Sequence, residues 1–110
     1  IDLERNPLVG TLSQQVCLLG TLEQLHLAHC RLSGTLPPGL GHCRFLTQLD
    51  VRANAMSGII PATLNDLGRL TELVLDDNRF RGLDVTLHRL SRLSLINLRN
   101  NHDLRGTLPR

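Results

Sequence analysis

Hydrophobic residues return along this chain in one fixed phrase: apolar, two free positions, apolar, one free position, apolar, two more, and then a polar residue. The third copy shows it whole in Leu46, Leu49, Val51 and Asn54. Leu22, Leu25, Leu27 and Cys30 precede it; Leu70, Leu73, Leu75 and Asn78 follow, and then Leu93, Ile96, Leu98 and Asn101. The first copy keeps only Ile1, Leu3 and Asn6. The closing residues at 6, 30, 54, 78 and 101 are spaced by 24, 24, 24 and 23 residues, so the chain is an internal repeat.

Within the phrase, Leu49-Asp50-Val51-Arg52 alternates apolar and polar. That predicts a short strand with Leu49 and Val51 on one face and Asp50 and Arg52 on the other. A single such strand cannot bury its apolar face, but the same strand from the next repeat stacks beside it at roughly 4.8 Å and builds a parallel sheet. The predicted core is therefore a set of columns: Leu22, Leu46, Leu70 and Leu93 in one, Leu25, Leu49, Leu73 and Ile96 in another. The rung asparagines should turn inward and bond backbone groups that the loop leaves without a sheet partner, each unmet group costing roughly 1–3 kcal/mol. Cys30, a weak donor and acceptor, is a tolerated rung.

Beyond the rung, glycines at 10, 34, 58 and 82 suit a backbone turn, and Pro37 and Pro61 fix an extended segment after it. The pairs Leu40 with Cys43, Leu64 with Leu67 and Leu87 with Leu90 have i, i+3 spacing, which predicts an irregular or 3₁₀ turn on the convex side. The fourth repeat is one residue short near Asp84 and Val85, so its convex side should differ; the fifth carries an extra residue at His102 and Asp103, where the loop should bulge.

The segments Ser33-Gly34-Thr35-Leu36-Pro37, Ser57-Gly58-Ile59-Ile60-Pro61 and Arg105-Gly106-Thr107-Leu108-Pro109 complete the pattern. It resembles the leucine-rich repeat family and, by these tails, its plant-specific type. That type is found in receptor-like kinase ectodomains, receptor-like proteins and polygalacturonase-inhibiting proteins; surface antigens of trypanosomatid parasites have similar repeats. The resemblance implies an α/β solenoid: a right-handed superhelix with a parallel concave sheet and irregular or 3₁₀ convex segments. Residues 1–110 are expected to form one array of about four and a half repeats. The chain opens inside a strand phrase and lacks the cysteine-paired caps of the extracellular plant relatives, so it is expected to be a fragment of a longer array. If uncapped, it should self-associate end to end.

Composition narrows the functional classes. The net charge of +2 arises from twelve arginines, with no lysine, set among ten acids spread through the repeats, which gives no nucleic-acid footprint. Only Phe45 and Phe80 are aromatic, which weighs against base stacking. No stretch approaches the length of apolar residues needed to cross a bilayer, so no membrane insertion by this segment is expected. Of the three cysteines, Cys30 and Cys43 align with inward positions and Cys17 with an exposed one. A Cys17–Cys43 bridge is the alternative; adjacent repeats bring the two near, but their side chains are expected to diverge. No Asn-x-Ser/Thr sequon occurs, which weakens an extracellular placement without excluding it.

Function is expected on the outward strand residues, which in the family line the concave face. The columns read Gln24, Gln48, Glu72 and Leu95; Asp2, His26, Asp50, Val74 and Asn97; and Glu4, Ala28, Arg52, Asp76 and Arg99. The candidate ligand-binding residues are Gln24, His26, Gln48, Asp50, Arg52, Glu72, Val74, Asp76, Asn97 and Arg99. Arg52 and Arg99 are the best anchors, because a guanidinium presents a rigid fork to carboxylates and carbonyls. The competing reading has Arg52 merely paired with Asp50 or Asp76, and Glu72 and Asp76 as a solvated acidic edge.

Asp2, His26 and Asp50 align across three strands, but the outer two lie roughly 10 Å apart, a poor set for one metal ion. A pH-sensitive His26 is the better reading of that row. No metal, no cofactor and no catalysis are expected: the serines and Cys17 have no base at a recurring offset, and no phosphate loop or dinucleotide fingerprint occurs. The chain thus reads as a module that recognises a protein or peptide ligand, in a cell-surface receptor or secreted inhibitor, outside the cell. A structural spacer or an intracellular scaffold segment is the alternative.

Overall fold

The computed structural model describes residues 4–5, 10–12, 17, 21–83, 90–102 and 104. Its strands are β1 (Gly10–Thr11), β2 (Gln24–His26), β3 (Leu32–Gly34), β4 (Gln48–Asp50), β5 (Ala55–Ile60), β6 (Glu72–Val74), β7 (Arg79–Leu83) and β8 (Leu95–Asn97). The even-numbered strands form one parallel sheet in the order β2-β4-β6-β8, and the odd-numbered ones a second in the order β1-β3-β5-β7. Sequential strands therefore never pair; each turn of the chain adds one strand to each sheet, which is how a solenoid grows.

The first sheet has the register that the repeat period dictates. Leu25 pairs with Leu49, Leu49 with Leu73 and Leu73 with Ile96, and the flanking columns stay in step. Backbone pairing runs on past the strands, with Leu27 N–H donating to the Asp50 carbonyl and His29 N–H to that of Arg52. The inward columns are the core: Leu25, Leu46, Leu49, Leu70 and Leu73 are fully enclosed, while Leu93 and Ile96 in the last repeat are only partly covered. Between the sheets and the convex side lie Val51, Met56, Ile60, Leu64, Leu67 and Phe80, all without solvent exposure.

The rung asparagines tie neighbouring repeats together as the sequence suggests. Asn54 Oδ1 accepts from the N–H groups of Cys30 (3.0 Å) and Leu32 (2.9 Å), and its Nδ2 donates to the carbonyls of Leu27, Val51 and Arg52. Asn78 and Asn101 do the same one and two repeats on, capturing the N–H groups of Met56 and Phe80. The buried Cys30 thiol lies 3.5 Å from the Ala28 carbonyl. One place before each rung the backbone enters the left-handed region, at Arg5 (φ 61), His29 (φ 56), Ala53 (φ 55), Asp77 (φ 57) and Asn100 (φ 58).

The convex segments are 3₁₀ turns at Pro38–His42 and Ala62–Asp66, each entered through an extended proline, Pro37 or Pro61. Leu40, Cys43, Leu64 and Leu67 point inward from them, as the i, i+3 spacing implies. Leu90 is buried as well. Leu87 and the shortened stretch at Asp84 and Val85 lie outside the described residues, as does Asp103 in the last loop; His102 beside it is exposed.

Two expectations are corrected. The segment after the rung is not a simple turn but the second sheet; the crowding expected at its glycines is found at Gly34 and Gly58, together with a left-handed backbone. A Cβ on Gly34 (φ 77) or Gly58 (φ 81) would stand 2.8 Å from the Cγ2 of Thr11 or Thr35 in the preceding repeat. Gly82 departs from that pattern: it keeps an ordinary φ, and the register of β5 against β7 shifts between Gly58 and Ile59. The second correction concerns Cys17 and Cys43, which are bridged, with Cα atoms 4.8 Å apart and a sequence separation of 26. The side chains converge because neighbours outside the first sheet are not equivalent positions: the offset is 22 for most pairs of the second sheet and 26 here.

Candidate functional site on the concave sheet

Side chains pointing outward from β2, β4, β6 and β8 form two rows across the sheet. One holds Gln24, Gln48, Glu72 and Leu95, the other His26, Asp50, Val74 and Asn97. Strands separated by about 4.8 Å hold these side chains at a fixed pitch. Its rim is held by hydroxyls that the sequence reading passed over. Thr47, Thr71 and Ser94 each donate to a carbonyl one repeat back, at Glu23 (3.0 Å), Thr47 (3.0 Å) and Thr71 (3.2 Å). A small hydroxyl recurring just before β4, β6 and β8 was the available signal.

The N-terminal half of the surface is a connected polar knot. His26 Nε2 lies 3.0 Å from Gln48 Oε1, and since an amide oxygen only accepts, that nitrogen carries the proton. Arg52 spans two carboxylates, with Nε 3.5 Å from Asp50 Oδ2 and NH2 3.8 Å from Glu4 Oε1. Asp50 also accepts from the Arg52 N–H through Oδ1 at 3.1 Å, which explains its deep burial for an outward residue. Asn97 holds the N–H of Arg99 in the same way at 3.0 Å.

These contacts decide between the competing readings of Arg52. It is paired, but with Asp50 and Glu4 and with no ion pair to Asp76; its side chain still keeps 46% of its surface exposed. Asp2, expected in a row with His26 and Asp50, lies outside the described residues; among these, Glu4, His26 and Asp50 bring potential ligand atoms within 4.8 Å of one another. The set fits a metal ion poorly, because the Arg52 guanidinium already occupies both carboxylates and would repel a second cation.

The C-terminal half is different. Asp76 is half-buried, and its Oδ1 is enclosed and bonds nothing among the described residues. Loss of hydration pushes its pKa up, helped by the neighbouring Asp77 and opposed by a backbone hydrogen bond and by the charge of Arg52. Asp77 is held by Asn100 Nδ2 at 2.8 Å. The Glu72 carboxylate and the exposed Arg99 guanidinium make no ion pair among the described residues, and Leu95 stands out with 47% exposure. Ala28, placed in the third outward column, is fully buried. Gln24 is exposed, and Val74 and Asn97 are half-buried.

Comparison with known proteins places the chain in a family. The leucine rich repeat model matches residues 44–102, more than half of the chain, and a second leucine rich repeat model matches residues 21–43. The chain belongs to the leucine-rich repeat family. Receptor-like protein 43 of Arabidopsis thaliana is 34% identical over 111 residues, which covers 99% of this chain and 15% of that protein. The ectodomain of the Arabidopsis thaliana receptor kinase SOBIR1 superposes with a TM-score of 0.84 at 26% identity, over 99% of this chain and 72% of that one. The plant peptide hormone receptor RGFR1, solved in complex with RGF2, gives a TM-score of 0.79 at 31% identity, over 89% of this chain and 17% of that one. The fold is thus that of plant leucine-rich repeat ectodomains, and this chain spans a small part of the curated relatives that it matches. Among the described residues, no helix is long and apolar enough to cross a membrane.

Proposed function

We propose that this repeat segment recognises a protein or peptide ligand through the outward rows of β2, β4, β6 and β8. The observation that carries this reading is the fixed array itself. Rigidly spaced polar side chains, two of them charged groups without an ion pair among the described residues (Glu72 and Arg99), flank an exposed apolar residue, Leu95. A recognition surface needs an apolar anchor with a polar rim that sets register and selects partners by charge. Similarity to RGFR1, a receptor solved with its hormone, supports the same use here. Arg52 is a scaffold of the knot, while Arg99 is the better anchor.

The reading extends to place and chemistry. Disulfides persist in oxidising compartments, so the Cys17–Cys43 bridge supports a location outside the cell and weighs against a cytosolic scaffold. The parent is read as a cell-surface receptor, and the segment acts by complementarity without bond chemistry. The test is paired charge reversal, Glu72→Arg with Arg99→Glu, in the intact parent protein. Capture of its partner from the native tissue should be lost while the thermal unfolding midpoint stays put; undiminished capture would sink the concave reading.

A further inference from the structure

Charges that read as spread along the sequence fall unevenly on the two sheets among the described residues. On the concave side, Glu4, Asp50, Glu72 and Asp76 outnumber Arg52 and Arg99. On the second sheet the balance inverts. Strand β7 turns Phe80 inward and presents Arg79 and Arg81 to solvent, and Arg31, at the entry to β3, is exposed too. None of the three forms an ion pair among the described residues, and strands β1, β3, β5 and β7 contain no acidic residue. Among the described residues, this face is therefore net basic: Asp77 is the one acid near Arg31, Arg79 and Arg81, and it forms no ion pair with them.

The shape of that face is as specific as its charge. The third repeat has Ala53 and Ala55 where its neighbours have His29 with Arg31 and Asp77 with Arg79. The small side chains leave a notch of about 420 Å³ bordered by His29, Arg31 and Asn54. Ser57 lies directly opposite Arg79, and Ile59 beyond it is exposed to 50%. Arg79 and Arg81, two residues apart on one strand, project about 7 Å from each other, the spacing of alternate side chains on an extended peptide.

We propose that the outer face of β3, β5 and β7 is a second docking surface, separate from the concave sheet, for an acidic segment of a partner protein. Glutamate or aspartate side chains would meet Arg79 and Arg81, an aliphatic side chain would cover Ile59, and a further carboxylate would seat beside Arg31. Guanidinium groups take carboxylates through two parallel hydrogen bonds, and serine and alanine between them keep the shelf flat. An acidic polysaccharide is the less suitable occupant. It has no aliphatic side chain to cover Ile59, which is exposed to 50% between the arginines.

The probe is a fluorescently labelled glutamate-rich peptide containing one leucine, titrated against the full 110-residue chain. Arg79→Glu with Arg81→Glu should weaken binding by about tenfold or more without moving the urea midpoint, and added salt should weaken the unaltered protein's binding. Ile59→Ser should weaken it while leaving the salt dependence intact, and Glu72→Arg with Arg99→Glu on the other sheet should leave it unchanged. Undiminished binding by the arginine variant overturns the proposal. So does equal loss in the concave variant, or tighter binding of a polygalacturonate oligomer than of the peptide.

Discussion

Replacing Asn78 tests the ladder that holds one repeat to the next, and its geometry sets the size of the effect. In Asn78→Ala the amide disappears from a site that is 5% exposed. The carbonyls it served do not become orphans: Val51 still accepts from Asn54, Leu75 from Asn101, and Asp76 from the N–H of Ala53. What is orphaned is the Met56 N–H, buried and left facing a small void. The cost is about 1–3 kcal/mol for that donor, with a smaller contribution from the void. Asn78→Asp retains an acceptor for Met56 but turns an ionised oxygen toward three carbonyls, without a counter-charge. That should cost several kcal/mol at neutral pH and less in acid.

Urea unfolding followed by far-ultraviolet circular dichroism reads both variants, with the slope checking that each still unfolds as one unit. Amide exchange at Met56 reads the local effect. The expected order at neutral pH is unaltered protein, then Asn78→Ala, then Asn78→Asp as the least stable. If Asn78→Asp matched or exceeded Asn78→Ala, or if Met56 exchanged at its original rate in Asn78→Ala, the inward ladder would be wrong.

Reduction of the Cys17–Cys43 bridge should lower stability by about 2–4 kcal/mol, the range for closing a loop of this size, and thermal unfolding with and without a reductant checks it. Because the Asp76 carboxyl has a raised pKa, the folded state holds its proton to higher pH than the unfolded chain does. Asp76 therefore removes stability as pH rises from the ordinary carboxylate value through the raised one, and the deficit is complete above that window. Asp76→Asn should accordingly raise the urea midpoint at neutral pH and flatten its acid dependence; a lower neutral midpoint would refute the assignment. Ala53→Gly should stabilise by up to about 1 kcal/mol, because a Cβ is strained at φ 55, and the same urea assay would expose a loss instead.

The concave sheet was legible because period-2 alternation and a constant 24-residue step act in the same place: Leu25, Leu49 and Leu73 are equivalent in sequence and adjacent in space. The 3₁₀ turns were legible from the spacing of Leu40 and Cys43, Leu64 and Leu67. Column logic failed where neighbours are staggered. Cys17 meets Cys43 and not an equivalent residue, and the second sheet pairs Ser33 with Ala55. That sheet also hid behind Gly34 and Gly58, which read as turn residues although their left-handed backbone and close approach to Thr11 and Thr35 lie within strands. The Glu4 contribution to the knot depends on how far the long Arg52 side chain reaches, which no strand alternation encodes. The left-handed column carried a faint signal in His29, Asp77 and Asn100, residue types enriched at positive φ, but Arg5 and Ala53 obscured it.

The most direct test of the recognition surface is site-specific photo-crosslinking in the intact parent protein, with the reactive group placed in turn at Gln48 and Glu72 on the concave sheet and at Ala62 on the convex turn. Crosslinks to one protein or peptide partner from Gln48 and Glu72, with none from Ala62, are the predicted result. Equal labelling from Ala62, or labelling from that side alone, would contradict recognition by the concave sheet.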